Sequence, residues 1–460
     1  MLSIDDVRER LGADLDRLAR EHGVPGAAVA VAVGDETAEA ATGVVNRRTG
    51  VPVTPEAVFQ IQSVTKVWTA TLVLQLVDDG LIALGDRVRD HLPEFRTADP
   101  AASARVTVEH LLTHTGGFEG DLWTATTAGD DALQRLVEDE VPRLPQPEEP
   151  GARYSYCSAG MAVLGRLVEV KRGLTWAEAL RRRLAEPLGI TELAFDANDA
   201  LGFNTAIGHV PQGDRGMWPL PVWATMPESN PAAGNRLAMS ARALLAFGRM
   251  HAADGRAPSG EQVLSEASAR AMRASRIPVL ATPVAPKAVG LGWEVYGDGA
   301  VVGHGGGALG FGAMLHVVPE HRTAVVLLAN GGDVNALIRD LVEPLVEQVA
   351  NLRLSGPALE PAETRTDPGA YVGLYANATQ RIQVSADGDG LTAVIESTGA
   401  AAEMIERAGL PSAPSTFHLR EVEPGTFVTE SGRYARFLDT ADSPARFLHL
   451  GGRSVPRAEA

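Results

Sequence analysis

Among 460 residues there is one cysteine, Cys157. An internal disulfide needs two, and zinc ribbons and iron–sulfur clusters need several thiolates, so all three are excluded. Lysine is nearly as scarce: Lys66, Lys171 and Lys287 are three among 41 basic residues. Arginine stays protonated at any working pH, whereas lysine can be tuned to release its proton, which singles these positions out. No segment reaches the roughly 18–20 uninterrupted apolar residues of a membrane span. Positive charge is in deficit, 41 basic against 58 acidic side chains, leaving a net charge of −17. Such a surface keeps a protein soluble and repels phosphate backbones, so neither nucleic acid nor membrane is an expected partner. The first residues, Met1-Leu2-Ser3-Ile4-Asp5-Asp6, are acidic where a secretion signal is basic and then apolar, so a cytoplasmic location is expected.

What is present is ordinary globular composition, 45% hydrophobic and 22% charged, and the length suggests two or three domains. Residues 3–21 carry Ile4, Val7, Leu11, Leu15 and Leu18 at helical spacing, with Ser3 and Asp6 placed as a capping box. Ala27 to Val33 and Ala38 to Val45 predict a strand pair. Thr65 to Val77 predicts a helix apolar nearly all round and stopped at Gly80. Residues 107–200 read as mainly helical, Ser240 as the cap of a further helix, residues 289–331 as strands, and Ala336 to Leu352 as a last helix. Residues 354–366 are proline-marked and aperiodic, a linker. After 367, alternating stretches such as Arg381 to Val384 and Arg446 to Leu450 predict a small all-β domain without a cluster of residues that suggests chemistry.

Three stretches can carry chemistry. In Ser63-Val64-Thr65-Lys66, residues i and i+3 share one helix face, so the Lys66 amine can reach the Ser63 hydroxyl. The helix N-terminus favours developing negative charge, and a desolvated lysine can act as a base. The bland alternative makes Ser63 a helix cap and Lys66 a solvated surface residue. Gly305–Gly310 formally matches the dinucleotide fingerprint, but the next stretch, Phe311 to Val318, reads as strand, so the confirming helix is missing. An edge strand kept bare for a substrate backbone, with the Gly307 N–H pointing into a site, fits Gly303-His304-Gly305-Gly306-Gly307 better. Tyr154-Ser155-Tyr156-Cys157-Ser158 offers a phenol able to carry a proton. His110 and His114 stand at i, i+4 without a third ligand, so no metal site is expected there, and Cys157 reads as a small buried residue.

In this order, the motifs resemble those of the serine β-lactamase and penicillin-binding-protein superfamily. The likeness is to its class C-like branch of esterases, D-amino-peptide hydrolases, acyltransferases and peptide-cyclising thioesterases. Ser63–Lys66 matches Ser-x-x-Lys, Tyr156-Cys157-Ser158 stands at Tyr-x-Asn, and His304-Gly305-Gly306 stands at the Lys-Thr-Gly or His-x-Gly position. Leu111-Leu112-Thr113-His114-Thr115-Gly116-Gly117 is similar to a loop frequent in the branch. The resemblance implies an α+β fold: a five-stranded antiparallel sheet flanked by helices, with an all-helical subdomain, over 1–353. Residues 367–460 resemble a lipocalin-like β-barrel. It also implies Ser63 as nucleophile toward an ester, thioester or amide, and proton handling by Lys66 and Tyr156. The oxyanion hole would be formed by the N–H groups of Ser63 and Gly307, with His304, Gly305, Gly306 and Ser158 along the substrate. No cofactor is implied. The substrate is a small-molecule or peptide acyl group, with a carrier protein as the partner if the peptide arrives as a thioester; a non-catalytic ligand-binding relative is the alternative from another class. The family's asparagine is Ser158 here, which offers one hydroxyl in place of a long amide. Weak or absent β-lactamase activity is therefore predicted, and efficient nitrocefin turnover by the pure protein would contradict it.

Overall fold

The computed structural model describes residues 4–280, 288–354, 367–388, 390–430, 432–440 and 444–458. Ser3, Lys287 and the expected linker beyond Leu354 lie outside the described residues.

Helix α1 (Ile4–Glu21) buries the predicted stripe, Ile4, Val7, Leu11, Leu15 and Leu18. Strands β1 (Gly26–Val33) and β2 (Glu36–Asn46) form the expected hairpin. The apolar helix α2 (Thr65–Asp78) is followed in the central region by α3 (Ser158–Arg172) and α4 (Ala241–Ala252), among several shorter helical turns. Ser240 caps α4, its hydroxyl accepting from the Ala243 N–H at 3.1 Å. Strands β3 (Glu294–Tyr296), β4 (Val301–Ala308), β5 (Phe311–Val318) and β6 (Thr323–Ala329) precede the last helix of this body, α5 (Glu343–Ala350). The sheet order is β2-β1-β6-β5-β4-β3, antiparallel throughout, with short strands extending it at both edges. The five long strands are those the family resemblance implied.

Period-2 alternation explains how one sheet is covered on two faces. Along β1, Ala28, Ala30 and Ala32 join the core that includes α2 and α4, while Ala27, Val29 and Val31 join the core with α1 and α5. The alanines leave room for α4 to lie close to the sheet, and the valines fill the space beneath α1. Helix α2 runs through the first core, and every residue from Thr65 to Leu76 is buried. Two of its polar side chains reach carbonyls of neighbouring segments: Thr69 donates to the Ala232 carbonyl at 2.7 Å and Gln75 to that of Val263 at 2.7 Å. Trp68 stacks on Phe247 of α4 with ring centroids 4.0 Å apart.

After 367 the chain forms eight antiparallel strands, β7–β14 (Gly373–Ala376, Gln380–Asp387, Gly390–Ser397, Ser415–Glu423, Thr426–Thr429, Tyr434–Leu438, Phe447–Leu450 and Arg453–Pro456), paired in sequence order. A bridge between Tyr375 and Arg457 brings the last strand back to the first, so the barrel is nearly closed. Its core holds Tyr375, Ile382, Val384, Phe427, Phe437 and Val455. An alanine-rich segment, Gly399–Arg407, forms a helix inside the domain expected to be all-β, because alanine, glutamate, methionine and arginine are strong helix formers. Trp68→Ala removes a fully buried stacked ring from α2, and should lower stability by about 3–5 kcal/mol, read as a fall in the urea midpoint of unfolding.

Candidate active site

The turn before α2 is bent tightly. Gln62 has φ of 50°, and Gln62–Val64 form a 3-10 turn that runs directly into the helix. Two glycines clasp this turn. A Cβ at Gly306 of β4 would lie 2.2 Å from the Ile61 carbonyl oxygen, and one at Gly234 would lie 1.9 Å from that of Gln62. Neither position has room for a side chain, so the turn is seated directly on the backbones at both sites.

The result is a serine freed from a capping role. Ser63 makes no cap hydrogen bond to the helix, which removes the bland alternative for it. Its Oγ instead accepts from the Lys66 Nζ at 3.1 Å. Lys66 is 1% exposed, and its amine also donates to the Ala233 carbonyl at 2.8 Å. The same amine lies 4.9 Å from the centroid of the Tyr156 ring. Burial depresses the Lys66 pKa to about 7, the Arg453 cation adds to the shift, and Asp121 and then Cys157 oppose it. Near neutral pH much of the amine is therefore uncharged and able to accept a proton.

Tyr156 is held by its backbone. Its N–H donates to the Gly452 carbonyl at 2.8 Å. The next N–H, of Cys157, donates to His114 Nδ1 at 3.1 Å. The paired histidines at i, i+4 thus divide, with His114 tying down the tyrosine loop and His110 accepting from Thr107 in a capping box. Burial lowers His114 to about 3, so its ring is neutral and can accept that bond. Burial raises the Tyr156 phenol well above its usual range, against the pull of the nearby Ser63 hydroxyl and Arg453. His304 lies with its ring centroid 6.3 Å from that of Tyr156. Its Nδ1 donates to the Gly305 carbonyl at 2.6 Å, and burial lowers it to about 4, so it too is neutral. Cys157 is buried and pushed up to about 12, an unreactive thiol.

Ser63, Tyr156 and His304 line a cavity of about 660 Å³, together with Tyr154, Glu294, Gly305 and Gly307. Strand β3 pairs with β4 at Val301 to Gly303, so β4 beyond that point has no strand neighbour on this side among the described residues. Nothing lies within 4 Å of where a Gly307 Cβ would sit. Gly306 faces the Ile61–Gln62 turn instead and does not line the cavity. Ser158, expected along the substrate, opens α3, is buried, and does not line the cavity; its carbonyl accepts from Asn230 Nδ2 at 3.2 Å. The second acceptor of the Lys66 amine comes from the chain near that asparagine, at Ala233.

The sequence reading found no chemistry after 367, and here the structure corrects it. The barrel roofs the cavity with the turn Gly451–Gly452 and with Arg433, Arg436, His449 and Arg453. Arg453 pairs with the buried Asp121, Nη2 to Oδ1 at 2.9 Å and Nε to Oδ2 at 2.6 Å, and its guanidinium lies 5.0 Å from the centroid of the Tyr156 ring. Ser454 N–H donates to Ser155 Oγ at 3.1 Å. Asp121 and Arg453 are 332 positions apart, and neither stands in a local motif, so no sequence signal joined them.

The β-lactamase family model matches residues 7–343. The chain belongs to the β-lactamase family. This is the family of serine hydrolases that includes β-lactamases and penicillin-binding proteins. The chain is 42% identical over 364 residues to penicillin-binding protein 4 of Amycolatopsis lactamdurans, covering 78% of this chain and 95% of that protein. It is 34% identical over 203 residues to esterase EstB of Burkholderia gladioli, covering 40% of this chain and 51% of that protein. The solved structure of SurE is 30% identical with a TM-score of 0.76, over 99% of this chain and 100% of that one, so the likeness includes the barrel of this β-lactamase-family chain.

The electrostatics of Lys66 give a signed prediction. A base must be neutral, so kcat/KM on a p-nitrophenyl ester should rise with pH through about 7. Arg453→Met removes a cation and leaves Asp121 unpaired; both changes favour protonated Lys66, so the rise should move to higher pH. A profile that does not move would show that the barrel's arginine leaves the amine unaffected.

Proposed function

We propose that the chain is a serine acyl hydrolase or acyltransferase that works through an acyl-enzyme on Ser63. The observation that carries this is the buried Lys66 amine, 3.1 Å from a serine hydroxyl that has no structural duty as a cap. Neutral Lys66 takes the Ser63 proton as Oγ attacks the carbonyl carbon of an ester, thioester or amide. The negative charge formed on the carbonyl oxygen is taken up by the N–H groups of Ser63 and Gly307, an oxyanion hole at the bare end of β4. Tyr156 passes the proton from Lys66 to the departing alcohol, thiol or amine. His304, being neutral, shapes the far wall without adding charge. Water or another nucleophile then releases the acyl group by the reverse proton path.

Within this reading, the favoured substrate is a peptide thioester on a carrier protein, released by cyclisation. The likeness to SurE runs through the barrel as well as the catalytic body, and a second SurE structure holds D-Leu. A barrel that roofs the cavity makes a deep site, suited to a peptide acyl chain. A D-configured residue at the acyl position belongs to the same proposal. So does a cytoplasmic location, because a cell-wall crosslinking substrate lies outside the membrane and a carrier-bound peptide does not. Among the described residues no helix is long and apolar enough to cross a membrane.

A fluorophosphonate probe with intact-mass measurement tests the nucleophile: one adduct on the wild type and none on Ser63→Ala are expected. Lys66→Ala should lower p-nitrophenyl ester turnover by roughly 10²–10⁴-fold, the usual scale of general-base catalysis. An equal adduct on Ser63→Ala would remove the proposal, and no adduct or turnover in the wild type would favour a non-catalytic relative.

A further inference from the structure

One carboxyl faces the catalytic cavity among its described lining residues, that of Glu294 in β3. The residue is partly buried, and in the β3–β4 register it stands opposite Gly303, next to His304. One of its oxygens, Oε2, accepts from the Tyr296 hydroxyl at 3.1 Å. The other has no hydrogen-bond partner among the described residues, and no described cation pairs with either. That is unusual in a cavity whose roof carries Arg433, Arg436 and Arg453, of which Arg453 is already paired with Asp121. The mechanism above does not use Glu294, and its neighbours do not neutralise it. The titratable groups around it are Tyr296 on its own strand, Tyr154 and Tyr156 from the loop before α3, whose phenols feel its charge, Glu343, which acts on Tyr296, His304, which follows Gly303 on β4, and His316 of β5, which stands opposite the same Gly303 and packs on Tyr296 with ring centroids 5.6 Å apart.

We propose that Glu294 is the acceptor subsite of the acyl-enzyme: it binds the ammonium group of an incoming amine beside Ser63 and takes its first proton. This rests on the Ser63 acyl-enzyme reading and deepens it, by making an amine the preferred acceptor. The step balances. An amine arrives as R–NH3⁺ and gives one proton to the Glu294 carboxylate. The neutral nitrogen attacks the acyl carbon, forming a C–N bond. Its second proton passes through Lys66 and Tyr156 to Ser63 Oγ as the acyl C–O bond breaks. The products are an amide and free serine, and Glu294 releases its proton to solvent. A carboxylate of this kind favours an amine over water because water brings no positive charge to pair with it.

Burial raises the Glu294 pKa to about 7, so the group is ionised and able to hold a cation mainly above that pH. Lys66 titrates in the same range, but it serves attack by water and by amine alike. The ratio of transfer to hydrolysis therefore cancels Lys66 and isolates Glu294. The test uses the full chain acylated by p-nitrophenyl acetate, with glycinamide as acceptor. N-acetylglycinamide and acetate are quantified after subtracting the reaction seen with Ser63→Ala. In the wild type the ratio should rise through about pH 7 as Glu294 ionises and fall again where glycinamide loses its ammonium proton, because the ammonium form is the one bound. In E294Q it should be at least tenfold lower at pH 7.5 and should follow the free amine as pH rises. Ethylguanidinium, a cation not acylated under these conditions, should compete with glycinamide in the wild type, which tests the site without any substitution. Equal ratios in wild type and E294Q, no transfer by the wild type, or failure of the cation to compete would each overturn the proposal. Absence of an acetyl adduct on wild-type Ser63 removes the acyl-enzyme reading itself, whereas an adduct that partitions alike in both proteins removes the acceptor subsite alone.

Discussion

An ammonium group cannot be placed in an apolar interior without a carboxylate beside it unless it gives up charge, and the site of this protein is arranged around that constraint. Lys66 sits on a helix buried on every side, with a carbonyl and a serine hydroxyl as its hydrogen-bond acceptors. Neither acceptor carries charge. The carboxylate whose charge acts on it, Asp121, already pairs with Arg453. A lysine so placed is held near its point of half-protonation at neutral pH, which is the condition a general base requires.

The geometry that fixes the serine is made by backbone rather than side chains. Gly234 and Gly306 lie so close to the Ile61–Gln62 carbonyls that the turn carrying Ser63 is wedged between a loop and a sheet strand. One strand thus performs two tasks along a few residues. Gly306 seats the Ser63 turn, while Gly305 and Gly307 keep the cavity side of the strand bare. His304 stands at the same edge with its proton committed to the Gly305 carbonyl, and so leaves the cavity wall polar but uncharged.

The barrel belongs to the site as much as to the fold. Its Gly452 carbonyl fixes the Tyr156 backbone, its Ser454 N–H fixes Ser155, and its Arg453 sets part of the field felt by Lys66. A second ion pair, Arg153 with Asp439, and a bond from the Ala378 N–H to Glu119 join the same two bodies. The cavity is therefore walled by residues from opposite ends of the chain. Its size and its arginine-bearing roof come from an element that the catalytic motifs do not include.

Local patterns determined a good deal by themselves. The stripe of α1, the β1–β2 hairpin, the all-round apolar α2 and the cap at Ser240 were legible because each depends on residues within a few positions of one another. So was the Ser63–Lys66 pair, since one helical turn fixes that contact whatever surrounds it. The glycine-rich strand was legible because its continuation, Phe311 to Val318, reads as strand rather than helix. Tertiary structure alone decided the rest. It divided His110 from His114, turned Ser158 away from the cavity, put Gly306 beneath the Ser63 turn, and brought Asp121 to Arg453 across 332 positions. The reason is physical: spacing along a chain encodes which face of a helix or strand a side chain occupies, but burial, pKa and pairing depend on what the fold packs against that face.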